Sequence, residues 1–472
     1  MAKERGAGVV KQIRANRVSL SLHFWIKNGI FGHLTRFSST RTKIAVFLVV
    51  GAIIRECLAP FTGHPFDFEL WIRLGYYTAQ GLDPYRITPP VPGLSMPGSG
   101  DMTSLGYPPV WPFILAGLYR LYAVTGIDNR FFYYFILKQP MIIGDLLDSF
   151  LIYKIVKQKS EVGAVKALAF WLFCPFTIII SSVWGMFDQL VLVFALLSLV
   201  YLDRTRISAS LEAVGILLKA IPLIYLPLFA FVQKTRLKII QYLAISSSVS
   251  IIFTFLPYLI FPSWNISSLL GTGTSVVTKV GNSMNYFVVI YVLASLNSFP
   301  SWGAEILAPL SYLWIPALII ASIFSIRIVR RRSENGEQFF KGIVLSMILV
   351  TLTFYLTRIQ INEQYTIYFL GLGLIDRYWI GTVSRSKQFH GIWISALGFL
   401  LSNNPIVRFL EPLSVYYRQL DQFIDSGVPD YFRLTAMVIS AFSFTVFCIL
   451  YLRSVYSELR TVTPVQEARI VQ

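Results

Sequence analysis

Apolar runs alternate with short polar interruptions along almost the whole chain. The clearest, at 44–61, 237–261, 304–326, 339–357 and 434–452, come close to the roughly 20 residues a helix needs to cross hydrocarbon. Backbone groups must pair internally in that medium, so runs this long and evenly apolar predict helices and not barrel strands. Further apolar segments at 131–156, 164–182, 185–202, 362–380 and 389–403 extend the pattern. The fold class expected is an all-α polytopic membrane protein.

Composition agrees with the pattern. Of 472 residues, 55% are hydrophobic and 14% charged, and the mean hydropathy is +0.61. A soluble protein carries about 25% charged residues. The net charge of +17 resembles a nucleic-acid signal, but Lys and Arg beside spans are what cytoplasmic loops contain. No zinc spacing or RNA-binding signature accompanies the charge, which argues against a nucleic-acid partner. Cys57, Cys174 and Cys448 lie in or near apolar segments and suggest core packing, not a disulfide framework. The first 43 residues hold nine Lys or Arg and lack the apolar core of a cleavable signal, so 1–43 reads as a basic cytoplasmic segment.

Charge then sets the expected topology. Span 44–61 delivers a first outer loop, 62–130. Within it the apolar stretch 109–123 is short, opens on prolines and carries Arg120. As a span it would send Lys154, Lys157 and Lys159 outside, so it is expected to lie on the outer surface. Spans 164–182 and 185–202 form a hairpin. Segment 208–232 has basic flanks on both sides and halves of about 12 residues, too short to cross comfortably. Pro222 breaks it at Lys219-Ala220-Ile221-Pro222, which predicts a broken or re-entrant pair. Residues 262–303 are expected to be external, with a surface helix. The core is expected over 44–380, with C-terminal helices and a cytoplasmic tail over 381–472.

The acids gather on the non-cytoplasmic side. In His64-Pro65-Phe66-Asp67-Phe68-Glu69-Leu70-Trp71, Asp67 and Glu69 lie just beyond the first span. One could serve as general base toward an acceptor hydroxyl, or the two could share a divalent cation on a phosphate leaving group. The plain alternative is two solvated acids in a loop. Lys219 at a membrane-embedded reversal calls for an anionic partner, a lipid phosphate among them, or snorkels to the surface. Arg358 opens Arg358-Ile359-Gln360-Ile361-Asn362-Glu363-Gln364-Tyr365, and its guanidinium suits bidentate phosphate binding or a pairing with Glu363. Asp188 could orient a sugar hydroxyl, support Arg358 or cap a helix. Asp145 and Asp148 share one helix; acids within a span are functional candidates by default, or Asp145 pairs with Lys138 or Arg55, which is the favoured expectation. Asn265-Ile266-Ser267 is a sequon in an outer loop.

Four of these segments, in order, resemble one family. Asp67-Phe68-Glu69-Leu70-Trp71, with Gly81-Leu82-Asp83-Pro84-Tyr85-Arg86-Ile87-Thr88 and Tyr107-Pro108-Pro109, looks like the first lumenal loop of GT-C glycosyltransferases. The likeness is greatest to mannosyltransferases that use dolichyl-phosphate mannose, of the GPI mannosyltransferase I type and its archaeal relatives. Cys174-Pro175-Phe176 through Trp184-Gly185-Met186-Phe187-Asp188 resembles a second signature, and Lys219-Ala220-Ile221-Pro222-Leu223 and Asn362-Glu363-Gln364-Tyr365 two more. The resemblance implies a GT-C-type bundle of about 11–13 transmembrane helices with surface helices in the first outer loop. It also implies inverting transfer of a hexose, mannose by family expectation, from a polyprenyl-phosphate donor to a glycolipid or glycan acceptor on the non-cytoplasmic face.

Under that resemblance Asp67 aligns with the catalytic acid. Tyr107, Glu69, Asp188, Lys219, Arg358, Asn362, Glu363 and Gln364 are the substrate-binding candidates. Two positions depart from the family: Met186 stands where Gln is usual, and Glu69 where a strict Asp-x-Asp has its second acid. The second departure leaves a divalent cation near Asp67 and Glu69 open. No P-loop or Rossmann glycine pattern is present, in keeping with a lipid-borne donor. The membrane implied is a cell membrane or an endoplasmic reticulum membrane. The competing expectations are a transporter or lipid flippase, which would share the spans and the broken pair, and a non-catalytic subunit of a glycosylation complex.

Overall fold

A computed structural model describes residues 39–103, 106–267, 269, 283–295, 310–332 and 335–461. Most of the expected N-terminal segment, part of the outer segment 262–303, the start of the run 304–326 and the end of the C-terminal tail lie outside these. Ala52–Gln472 form one compact unit; the described part of Met1–Gly51 is the start of the first helix.

Among the described residues the chain is helical, with no strands. α1 is Thr40–Leu58, α2 Asp67–Ala79, α3 Val110–Val124, α4 Arg130–Lys157 and α5 Glu161–Phe173. A helical turn from Pro175 and a π-helix, Ile179–Trp184, then lead to α6 (Asp188–Val200) and α7 (Thr205–Leu218). After a 3-10 turn come α8 (Leu226–Phe231), α9 (Arg236–Ile260), α10 (Val288–Ser295), α11 (Trp314–Arg331) and α12 (Gly336–Thr357). A second 3-10 turn, Glu363–Tyr365, opens α13 (Thr366–Ile375). α14 (Ser386–Asn403), α15 (Tyr416–Ile424) and α16 (Gly427–Arg460) complete the order.

By length and composition α9, α12 and α16 can each cross a membrane, and α5 with its continuation to Trp184, bent by 48°, can form a fourth crossing. Other apolar helices fall short because they are brief or carry buried charge. α3 and α6 have 15 and 13 residues. α4 has 28 but contains Lys138, Asp145 and Asp148. Near the middle of α12, Gly342 to Leu352 are all buried, so that helix is a central post. α9 is its opposite: Tyr242, Ser246 and Pro257 are its buried residues, while Ile240, Ile251 and Leu259 are 63%, 57% and 84% exposed. A bare apolar helix of this kind is stable against hydrocarbon and would associate or aggregate in water.

Boundaries shift from the sequence reading at informative places. The segment expected as the first outer loop opens with α2, whose Phe68 to Gly75 are buried. α3 stands where the surface helix was expected and packs on α2. The broken segment parts where Pro222 implied, with α7 ending at Leu218 and Lys219 in extended conformation. α11 is described from Trp314 and runs on to Arg331, and α16 runs well beyond 434–452. The short elements between α14 and α16, a 3-10 helix Ile406–Leu413 and α15, were not anticipated.

Buried polar side chains brace the helices beside α2. Arg55 of α1 pairs with Asp145 of α4, both fully buried, so of its two expected partners Asp145 takes Arg55. Asp145 also accepts from Trp171 Nε1 (2.6 Å) and Ser181 Oγ (2.8 Å). Lys138 instead donates to the Thr62 and Ser182 carbonyls, at 2.5 and 2.6 Å. These bonds tie the segment after α1 to the π-helix, and so fix His64 and Asp67 against Trp184.

Candidate functional site

α2 starts at an unusual cap. His64 Nδ1 accepts from the backbone N–H groups of Phe66 and Asp67, at 3.3 and 3.2 Å, in place of a conventional capping side chain. Its Nε2 therefore carries the proton and donates to Asn404 Oδ1 (3.0 Å). Burial lowers the imidazole pKa, with the nearby Asp67 carboxylate opposing that shift. The 3.3 Å approach of Nδ1 to Asp67 is thus a contact with a neutral ring, not an ion pair. The ring stacks on Trp184 at 4.7 Å between centroids.

Asp67 is the first residue of α2, where a carboxylate is favoured by the helix dipole. Trp184 Nε1 donates to its Oδ2 at 2.9 Å, and the side chain keeps 13% of its surface exposed. Among the described residues no hydrogen bond is made to Oδ1, so one oxygen is clamped and the other open. Gly185 adopts φ +86°, which turns the chain from the π-helix toward Asp188, and its carbonyl accepts from Trp71 Nε1 (3.0 Å).

Glu69 points elsewhere. Its carboxylate accepts from Arg73 Nε (2.8 Å), Met96 N (2.7 Å) and Ser99 Oγ (3.3 Å), and it is fully buried. In a helix residues i and i+2 do not share a face, so the Asp-x-Glu spacing that in a loop would gather two acids here separates them. A divalent cation shared by Asp67 and Glu69 does not fit this arrangement. Among the described residues no group of three or more His, Cys, Asp or Glu gathers to hold a metal.

A second centre adjoins Asp67. Lys219, at the break after α7, reaches both carboxylate oxygens of Asp188, at 2.9 and 2.8 Å, and Tyr368 Oη donates to Asp188 at 3.2 Å. Asp188 therefore supports Lys219 and not Arg358. The ammonium also faces the rings of Tyr365 (4.9 Å), Phe187 (5.4 Å) and Tyr107 (5.7 Å). Tyr107 is the bridge between the two centres. Burial pushes its phenol well above 10, reinforced by the charges of Asp67, Tyr365 and Asp188, and its ring packs on Trp71 and Phe187.

Arg358 follows α12 directly. Its half-buried guanidinium lies over Phe354 (5.2 Å) and Tyr365 (6.0 Å), so Tyr365 meets two cations. Glu363 is 3% exposed and accepts from Asn403 Nδ2 at 2.6 Å. Gln364 is 3% exposed, and its Oε1 has no hydrogen-bond partner among the described residues. Asn362 is half-buried and accepts from Gln360 Nε2 at 3.4 Å.

The fold thus gathers Asp67, Tyr107, Asp188, Lys219, Tyr365 and Arg358 through a chain of shared contacts, while Glu69 is turned into structural work. Sequence reasoning assigned no role to His64, Trp184, Asn403 or Asn404. The tandem amide Asn403-Asn404, closing an apolar helix before Pro405, was the available signal: one amide holds Glu363 and the other His64. No family model matches the chain, and no curated protein matches it either.

Proposed function

We propose that this chain is a polytopic membrane glycosyltransferase of the GT-C type, with a bundle of about 11–13 crossings. It transfers a hexose, mannose by family resemblance, from a polyprenyl phosphate to a glycolipid or glycan acceptor on the non-cytoplasmic face. The observation that carries the reading is Asp67: a carboxylate clamped on one oxygen by Trp184 and open on the other, with Tyr107 between it and buried Lys219, whose neighbour Tyr365 also meets Arg358.

The chemistry follows from that arrangement. The open oxygen of Asp67 takes the proton of the acceptor hydroxyl as it attacks the anomeric carbon, and the bond to the phosphate oxygen breaks on the opposite side. Trp184 holds the carboxylate by donation, and neutral His64, accepting the Asp67 backbone N–H, positions the residue without protonating it. Arg358 receives the leaving phosphate in a bidentate grip. Lys219 has given two donor directions to Asp188 and keeps a third for the phosphate, so Asp188 fixes the ammonium's position before the donor arrives. Gln364 Oε1 offers an acceptor for a sugar hydroxyl. No step requires a metal held between Asp67 and Glu69.

The test is transfer from radiolabelled polyprenyl-phosphate mannose to candidate glycolipids by purified protein in lipid. The wild type is expected to transfer and Asp67→Asn to lose at least about 100-fold, the scale of general base catalysis. Equal transfer by both removes Asp67 from the mechanism. No transfer from any such donor favours a transporter or an accessory subunit.

A further inference from the structure

The helices that frame the Asp67 centre have their other ends at a second cavity. α6 begins at Asp188 and ends at Val200; α12 ends at Thr357, beside Arg358, and begins at Gly336. The 22 residues of α12 alone put about 33 Å between its ends. At the far end a cavity of about 800 Å³ opens among α4, α6, α9, α11 and α12, within the roughly 300–1,000 Å³ of pockets that hold small molecules.

The cavity is amphipathic. Ile155, Leu199, Val232 and Ile343 form a buried apolar wall. Exposed Lys234, Arg236 and Arg330 stand at its mouth, against the single carboxylate Asp203. No ion pair among the described residues engages any of the three cations. Arg330 is anchored by Nε to the Phe231 carbonyl (2.6 Å), which leaves its outer nitrogens for an incoming group.

Two helix N-termini, those of α9 and α12, open on the same space. Thr235 Oγ1 caps the N–H of Lys238, and the earlier N–H groups of α9 remain as donors. Leu237 and Ile240, on the first turns of α9, are 75% and 63% exposed and continue the apolar surface away from the mouth.

We propose that this cavity binds the phosphate headgroup of an anionic lipid. The phosphate lies among Lys234, Arg236 and Arg330, and the chains run over Ile343 and the exposed face of α9. A free phosphate shares the anion chemistry, but the apolar wall and the bare start of α9 have no counterpart in it. The site stands apart from the transferase reading, which concerns the other end of the same helices.

The test is native mass spectrometry of the full chain with phosphatidylglycerol, phosphatidylcholine and inorganic phosphate. The variant is Lys234→Gln/Arg236→Gln/Arg330→Gln. The control, Lys166→Gln/Arg206→Gln/Lys387→Gln, removes the same charge from exposed positions that do not line the cavity. The wild type and the control are expected to retain phosphatidylglycerol at least 10-fold more strongly than phosphatidylcholine, undisplaced by millimolar phosphate, and the cavity variant to lose that preference. Displacement by inorganic phosphate at equal concentration assigns the site to a free anion and overturns the lipid. Preference that survives in the cavity variant, or is lost equally in the control, overturns the site.

Discussion

Replacing Glu69 with alanine separates the two acids that sequence placed together. Glu69 and Arg73 are both fully buried, and the guanidinium's other bond is Nη1 to the Thr88 carbonyl at 2.5 Å. Nη2 has no partner among the described residues. Glu69→Ala therefore strands a buried cation and also orphans the Met96 N–H, which Glu69 accepts at 2.7 Å. Breaking one side of a buried pair costs about 3–5 kcal/mol. Asp67→Ala removes one bond from Trp184 at a partly exposed site and costs about 1 kcal/mol.

The assay is reversible unfolding in mixed micelles titrated with dodecyl sulfate, followed by tryptophan fluorescence. Adding Arg73→Met to Glu69→Leu removes both charges and should recover at least half of the loss, because an apolar replacement of a buried pair is often neutral. A Glu69→Ala protein within about 1 kcal/mol of wild type would refute the buried-pair reasoning. So would a double replacement no more stable than the single one.

Other consequences are equally direct. Gly185→Ala puts a Cβ 2.7 Å from Phe68 Cδ2 at φ +86°, and should cost about 2 kcal/mol or more in the same titration; a neutral effect would show that the turn is not rigid. Asp145→Ala should cost about 3–5 kcal/mol by removing the carboxylate paired with buried Arg55; stability equal to wild type would show that the pair is not what holds Arg55.

Hydrophobic periodicity was enough to place most helices, because a run of apolar residues has one stable backbone in hydrocarbon whatever surrounds it. α9 and α12 match their sequence boundaries within a few residues for that reason. The break at Lys219 was legible for a local cause as well, since Pro222 cannot donate the bond that would continue α7. Residue chemistry alone marked Lys219 as a charge needing an anionic partner.

What each charge faces was decided by the tertiary structure. Asp188 holds Lys219 across 31 positions, Asn403 reaches Glu363 across 40, and Asn404 meets His64 across 340. No local pattern encodes such distances. The reversal at Glu69 shows the reason most sharply. Spacing by two means one neighbourhood in a loop and opposite faces in a helix. Whether 67–79 winds into a helix depends on burial against α3 and on the cap from His64, both of which exist only once the chain has folded.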